Sequence, residues 1–168
     1  YHMKNKIYLS GTNGLPGRYG GWDQLLSNLS SRLSKKYEVY VHTSVKDCMK
    51  GVEEVNGAKI RIINLSANGI SSIFYDFICL FDSWRNNSVC LMLGTSGGLF
   101  FPFFRLLGLQ IILNPDGEEW NRDKWNKAAK LFLFVSDFVG VRFSNYVIAD
   151  HPIIEQRAKL IRSKFKRK

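Results

Sequence analysis

Short apolar strands alternate with longer amphipathic segments along this whole chain, and that alternation restricts the possible folds more than any other feature. The run from Lys6 to Ser10 is a strand, and the helix that follows repeats its leucines at helical spacing (Leu25, Leu29, Leu33). Strands that alternate with helices pair in parallel through right-handed crossovers. We therefore predict an α/β fold with a doubly wound, mainly parallel, Rossmann-like sheet.

The other elements follow the same pattern. The predicted strands are Lys6–Ser10, Tyr37–Thr43, Ile60–Ile63, Val89–Leu93, Gln110–Asn114 and Tyr146–Ala149, with a small hairpin around Asn56 and Gly57. The predicted helices run from Trp22 to about Lys36, from Ile70 to Asp82, from Phe100 to Leu107, from Trp120 to about Asn145, and onward from Pro152. The helix from Ile70 is apolar on most sides and is expected to be buried. A break is expected near Gly140, with Ser136 and Asp137 starting a second piece.

The length predicts one domain, because 168 residues can bury one core but not two full lobes. Residues 1–3 are typical of a cloning remnant, and residues 4–156 form the predicted domain. Residues 157–168 carry seven basic residues and no acid. We expect them to form a basic helical tail or the start of a connection to a second domain.

The charge distribution argues against nucleic acid as a partner. The net charge is +10, but the basic tail leaves residues 1–156 with 17 basic and 14 acidic residues, a net charge of +3. A nucleic-acid interface needs a basic face spread over the fold. The tail itself fits a solvated helix end, a linker, or attraction to an anionic membrane.

Cysteine usage and hydropathy favour a cytoplasmic location. The three cysteines show no metal or disulfide spacing, which is typical of a reducing compartment. The most apolar run, Leu99–Leu113, is interrupted by Pro102, Arg105 and Gln110 and is too short to span a bilayer. At most this run touches lipid, which would place the protein at the inner face of the membrane.

Open parallel sheets bind ligands at the carboxyl ends of their strands. The predicted strands direct four turns to that edge: Ser10–Gly21, Gly94–Gly98, Asn114–Trp120 and Asp150–His151. The first turn is rich in glycine but matches neither the dinucleotide fingerprint nor a P-loop. Its end at Gly20 and Gly21 favours a phosphate at a helix start, helped by Arg18, although a flexible turn that caps the helix explains it as well.

The turn after the strand Gln110–Asn114 combines acids with aromatic side chains. Asp116, Glu118 and Glu119 crowd the strand end, and Trp120 and Trp125 offer flat faces to sugar rings. Carboxylates at a cleft suit hydrogen bonds to hydroxyls and proton transfer. A capped helix start, with acids offsetting the helix dipole, accounts for the same residues. The histidines His42 and His151 form no hydrolase or zinc pattern, so those enzyme classes have no support.

Four blocks of this chain resemble one bacterial family. The segment Leu15–Asp23 is similar to its opening P-x-x-Y-G-G-[FW]-[ED]; Leu93–Gly98, Asn114–Trp125 and Val147–Asp150 resemble three further blocks. The family is the N-terminal domain of rhamnosyltransferase-like, family 4 (group 1) glycosyltransferases of the GT-B type. Asp23 replaces a common glutamate and shortens its reach, and Pro115 constrains the third block.

The resemblance implies an acceptor-binding lobe whose partner, a C-terminal lobe beyond this chain, holds most of the nucleotide-sugar. The implied reaction transfers a sugar, for which rhamnose is the candidate, to a saccharide or lipid-linked acceptor. It retains the configuration at the anomeric carbon and uses no metal or other cofactor. Asp116 and Glu118 are the implied catalytic residues. The implied substrate-binding residues are Arg18, Gly20, Gly21, Gly94, Thr95, Ser96, Asn114, Trp120, Arg122 and Asp150.

Two other classes stay open at this stage. A non-catalytic nucleotide- or sugar-binding module would use the same turns and bind ligand on its own. A membrane-recruitment domain would use the basic tail and the apolar helix Leu99–Leu109.

Overall fold

The computed structural model describes residues 6–16, 21–115, 117–123 and 125–163. Within these residues seven strands form one sheet: β1 Lys6–Ser10, β2 Glu38–Ser44, β3 Glu54–Val55, β4 Ala58–Ile63, β5 Val89–Leu93, β6 Gln110–Asn114 and β7 Tyr146–Val147. The described part of the chain also contains five α-helices, which pack on the two faces of the sheet: α1 Gly21–Leu33, α2 Ser71–Arg85, α3 Phe101–Leu106, α4 Lys127–Phe143 and α5 Pro152–Ser163. Short 3₁₀ turns occupy Gly98–Phe100 and Glu119–Asn121.

The sheet order is β3-β4-β2-β1-β5-β6-β7. All neighbouring strands pair in parallel except β3, which forms an antiparallel hairpin with β4. The strands β2, β3 and β4 lie on one side of β1, and β5, β6 and β7 are then added on its other side. The predicted α/β fold with a mainly parallel sheet is confirmed, and the reversal between β1 and β5 marks the crevice where such sheets bind ligands.

Each face of the sheet carries its own apolar core, because the β-strand period directs alternate side chains to opposite faces. On one face, Leu26 of α1 packs on Leu9, Val41 and Leu93. On the other face lie buried residues of four helices and of the central strands. These are Tyr75 and Cys79 of α2, Phe101 and Phe104 of α3, Val141 of α4, Ile161 of α5, and Cys90, Met92, Ile111 and Leu113 of the sheet.

Helix α2 differs from the prediction of a buried helix. Tyr75, Cys79 and Leu80 are buried, but Phe74, Ile78 and other apolar side chains of the same helix are exposed. The sheet can cover only one face of a helix, so apolar residues on the other face stay at the surface whatever their number.

Helix α4 corrects a second prediction. It begins at Lys127, not Trp120, and continues without a break through Gly140 to Phe143. A glycine inside a helix costs only about 1 kcal/mol relative to alanine. Here it allows a close approach, because a Cβ at Gly140 would lie 3.3 Å from the Cα of Gly98. Ser136, predicted to start a second piece, instead donates a hydrogen bond to the carbonyl of Thr95 at 2.6 Å.

Among the described helices, none has both the length and the apolar character needed to cross a membrane. The predicted tail boundary at residue 156 falls inside α5. Residues 157–163 continue that helix, and Ala158 and Ile161 are buried in the core.

Candidate functional site

A cavity of about 610 Å³ lies at the carboxyl edge of the sheet. It is open to solvent and is bounded by the turns that follow β1, β4, β5 and β6, by the first turn of α2 and by the first two turns of α4. Its polar wall comprises Asn68, Ser72, Thr95, Ser96, Glu119 and Asn126, and its apolar wall includes Ile70, Ile73, Trp125, Phe132 and Leu133. This volume is within the range of small-molecule sites in proteins.

The turn after β5 supplies three of the predicted substrate-binding residues, Gly94, Thr95 and Ser96, to the cavity wall. Gly94 has φ +99°, a conformation that favours glycine, and its N–H donates to the carbonyl of Asn114 at 2.9 Å. The turn is therefore held at the edge by β6 on one side.

A buried carboxyl group holds the same turn from below. Asp76 of α2 is 2% exposed and accepts a hydrogen bond from the hydroxyl of Ser96. Burial raises the pKa of Asp76 to about 7, while hydrogen bonds from Ser96 and the Gly97 N–H act in the opposite direction. Asp76 was not among the predicted site residues, although it is one of only two acids in the largely apolar helix α2.

The loop after β6 brings one acid and one tryptophan to the cavity. The indole N–H of Trp125 donates to Glu119 Oε1 at 3.2 Å, and Arg122 pairs with Glu119 Oε2 at 2.9 Å. Asn126 caps α4 by accepting from the Ala129 N–H at 2.8 Å. The carboxylate of Glu119 is thus fixed from two sides where it meets the cavity.

The loop between β4 and α2 also lines the cavity, although it was not among the four turns predicted at the ligand-binding edge. Asn68, Gly69 and Ser72 come from this loop and the start of α2. The Asn68 side-chain amide donates to Asn13 Oδ1 at 3.1 Å, which joins this loop to the turn after β1. Because β4 is parallel to β2, the loop that follows it reaches the same edge, as the predicted parallel pairing of its strand already implied.

Other predicted residues lie outside the cavity wall. Glu118 is exposed and accepts from the Asn121 amide at 3.3 Å. Asp150 is exposed as well. Asn114 is 5% exposed, and within the described part of the chain its Oδ1 atom has no hydrogen-bond partner. Arg122 is connected to the site through its ion pair with Glu119.

Trp120 cannot offer both faces of its ring to a sugar. The guanidinium carbon of Arg157 lies 4.4 Å from the centre of its ring, and Phe134 meets the ring edge-on at 5.7 Å. Trp125 is the tryptophan that lines the cavity. The two tryptophans of this loop therefore have separate surroundings, which their spacing in the sequence did not distinguish.

Several residues of the predicted segments lie outside the described residues, among them Arg18, Gly20, Asp116 and Lys124.

The glycines of the first turn differ in what surrounds them. Gly21 is the first residue of α1, and an added Cβ would meet nothing within 4 Å. By contrast, a Cβ at Gly11 would overlap the carbonyl of Leu93, and one at Gly14 would overlap Thr43. Part of the glycine content of the first turn is thus required by packing and does not indicate a phosphate.

His42 takes part in a buried polar network away from the cavity. Its Nδ1 lies 2.8 Å from Ser10 Oγ, and its Nε2 lies 3.1 Å from Asp82 Oδ2, which also pairs with Arg61. No such pattern was predicted from the sequence, yet serine, histidine and aspartate are hydrogen-bonded here in the order found in hydrolases. Ser10 and His42 are, however, both 0% exposed. A substrate cannot reach Ser10, so the network stabilises the sheet.

Burial of the imidazole sets the electrostatics of that network. Burial lowers the pKa of His42, and the Asp82 carboxylate opposes this. Burial alone would raise the pKa of Asp82, but hydrogen bonds from His42 and Arg61 prevail and hold it far below its usual range. In the described part of the chain, no group of three or more histidine, cysteine or acidic residues is arranged to hold a metal ion.

The fold and the site define a class, a Rossmann-like α/β domain with a small-molecule cavity at the crevice of its sheet. Residues 4–167 match the family described as domain of unknown function DUF1972, and the chain belongs to that family. This domain is found in glycosyltransferase-associated proteins. No curated protein matches the sequence significantly.

Proposed function

We propose that this domain is the acceptor-binding lobe of a GT-B glycosyltransferase. In this proposal a sugar, with rhamnose as the candidate, passes from a nucleotide-sugar to a saccharide or lipid-linked acceptor with retention of configuration. The observation that carries the proposal is the cavity at the crevice of the sheet, where hydroxyl, amide and carboxylate groups face a tryptophan and an apolar wall.

The composition of that cavity suits a sugar ring. Thr95, Ser96 and Asn68 present donors and acceptors for ring hydroxyls, and Glu119 adds a charged acceptor. Hydrogen bonds to charged groups are worth about 1.5–3 kcal/mol, roughly twice those between neutral groups. The indole of Trp125 provides an apolar surface for the C–H face of the ring.

In the proposed enzyme, the residue that orients the acceptor differs from the residues at the reacting centre. Glu119, fixed by Trp125 and Arg122, orients the acceptor. Asp116 and Glu118, from the same loop, remain our proposed residues at the reacting centre, and Gly21 remains our proposed contact for the donor diphosphate. The donor binds mainly to the second lobe of the enzyme.

Saccharide binding by the 168-residue chain tests the proposal. Saturation-transfer NMR with simple hexoses and deoxyhexoses should show ring protons in contact with the protein. Glu119→Gln and Trp125→Ala should each weaken binding about ten-fold or more, because each removes a charged hydrogen bond or an aromatic surface. Trp125→Phe keeps an aromatic surface and should lose less affinity, while Glu53→Gln, at an exposed position beside the β3–β4 hairpin, should bind as the unmodified chain does.

Two results would contradict the proposal. Saccharide binding that survives both Glu119→Gln and Trp125→Ala would exclude this cavity. Micromolar binding of a nucleotide-sugar by the chain alone would favour a stand-alone binding module.

In an enzyme that includes the donor lobe, Asp116→Asn and Glu118→Gln should lower turnover about 100- to 10,000-fold with little change in melting temperature.

A further inference from the structure

The outer faces of α2 and α3 expose large apolar side chains. On α2, Phe74 is 62% exposed and Phe81 is 42% exposed, and on α3, Phe103 is 55% exposed and Leu106 is 88% exposed. With Phe77 and Ile78, both 37% exposed, these six residues form what we call the α2–α3 surface. Its four phenylalanines expose on the order of 400 Å², and apolar patches of this size on a monomer often have a function.

Ring contacts make the two helices one surface. The ring of Phe77 on α2 lies 5.5 Å from that of Phe104 on α3, and Phe104 lies 5.2 Å from Phe103. Phe77 also meets Phe100, just before α3, at 5.1 Å. The exposed rings therefore rest on buried or half-buried neighbours and are held at the surface by packing.

The charged side chains that α2 and α3 leave exposed are basic. Between residues 71 and 109 the chain has two acids and two bases. Asp76 is buried and Asp82 is paired with Arg61, so neither presents a free carboxylate outward. Arg85 and Arg105 are exposed, and Arg105 donates to the carbonyl of Phe143, a neutral acceptor that does not compensate its charge.

We infer that the α2–α3 surface docks on a membrane that contains anionic lipids. Phenylalanine and leucine side chains enter the boundary between headgroups and acyl chains, and Arg85 and Arg105 contact the anionic headgroups. Ile70, 80% exposed at the start of α2, lines the cavity as well, so the docked surface adjoins the mouth of the candidate site. This inference does not depend on the proposed function.

Vesicle co-sedimentation of the 168-residue chain tests the inferred membrane docking. The chain should pellet with vesicles of phosphatidylcholine and phosphatidylglycerol, pellet less with phosphatidylcholine alone, and be released by high salt. The variant Phe74→Ser/Leu106→Ser should partition at least about ten-fold more weakly, because burying even one such side chain is worth roughly that factor. Arg85→Glu should also weaken binding to the anionic vesicles.

The matched control is Ile153→Ser/Leu160→Ser on α5, which removes side chains that are 63% and 55% exposed. It should bind vesicles as the unmodified chain does. Absence of vesicle binding by the unmodified chain would overturn the inference. So would equal binding by Phe74→Ser/Leu106→Ser, since another surface would then hold the membrane. A chain that is dimeric in solution and becomes monomeric in that variant would assign the surface to a second copy instead.

Discussion

At the scale of single residues, Asp76 shows how a buried acid can shape a ligand site without lining it. Its carboxyl group lies beneath the turn after β5 and is held by Ser96 and Gly97. A Cβ at Gly97 would lie 2.7 Å from the Cβ of Asp76, so the turn packs directly on this side chain. The position of Thr95 and Ser96 in the cavity wall therefore depends on Asp76.

The pKa of Asp76 predicts a pH dependence of stability. Burial raises this pKa from 3.8 to about 7. Between about pH 4 and pH 7 the folded chain keeps a proton that the unfolded chain has released, so this group lowers the free energy of unfolding as the pH rises. The loss is absent below the unfolded pKa and complete above the folded one.

We expect Asp76→Asn to remove that loss, because an amide can make the same two hydrogen bonds without ionising. Its free energy of unfolding relative to the unmodified chain should rise by on the order of 1–4 kcal/mol from pH 4 to pH 8. Urea denaturation at several pH values measures this. His42 titrates in both proteins and cancels in the difference. Parallel pH profiles for the two proteins would show that Asp76 does not titrate in this range.

At the scale of elements, the contact between α4 and the 3₁₀ turn Gly98–Phe100 decides how the β5 turn meets the cavity. Ser136 donates to the carbonyl of Thr95 and accepts from the Leu99 N–H at 3.3 Å. Gly98 and Gly140 let the two backbones approach closely enough for these bonds. Helix α4 thus supports the turn through Thr95 and Leu99, whereas Asp76 holds it through Ser96 and Gly97.

We expect Gly98→Ala to disrupt this contact, because the added Cβ would overlap the carbonyl oxygen of Ser136, a backbone atom. Overpacking against backbone should cost about 3 kcal/mol or more. Gly21→Ala is the matched control, since its Cβ meets nothing within 4 Å and its change should be within about 0.5 kcal/mol of zero or stabilising. Thermal or urea unfolding measures both. Equal stability of the two variants would contradict the close approach.

At the scale of the whole molecule, Arg157 joins three segments that are distant in the sequence. It lies on α5, pairs with the buried Asp137 of α4, and stacks on Trp120 of the loop after β6. Burial lowers the pKa of Arg157, and Glu118 opposes this. The last described helix is thereby connected to the loop that carries Glu119.

We expect Arg157→Ala to leave the Asp137 carboxylate buried without its partner, at a cost of about 3–5 kcal/mol. Arg157→Lys should recover only part of this, because an ammonium group cannot stack on Trp120 as a planar guanidinium does. Lys159→Ala, two residues further on α5, removes only an exposed pair with Glu155 and should cost less than about 1 kcal/mol. Urea denaturation of the three variants tests the ranking, and similar losses for Arg157→Ala and Lys159→Ala would contradict it.

The sequence alone determined the class of fold, since the strands β1, β5 and β6 and the alternation with helices follow from local hydrophobic periodicity. It also located the turns that carry Gly94–Ser96 and Glu119, because in a parallel sheet each strand must end at the same edge. These features depend on residues that are close together in the chain.

Only the tertiary structure decided which of those residues meet. The cavity joins loops after four strands, and the sheet order that brings them together has no local trace in the sequence. Several features depend on neighbours that are 20 or more residues away or belong to another element. They are the surroundings of Trp120 and Trp125, the burial of Asp76 and the role of Gly140. The exposed rings of α2 follow from the same cause, because the sheet buries one face of a helix and leaves the other to solvent or to a partner surface.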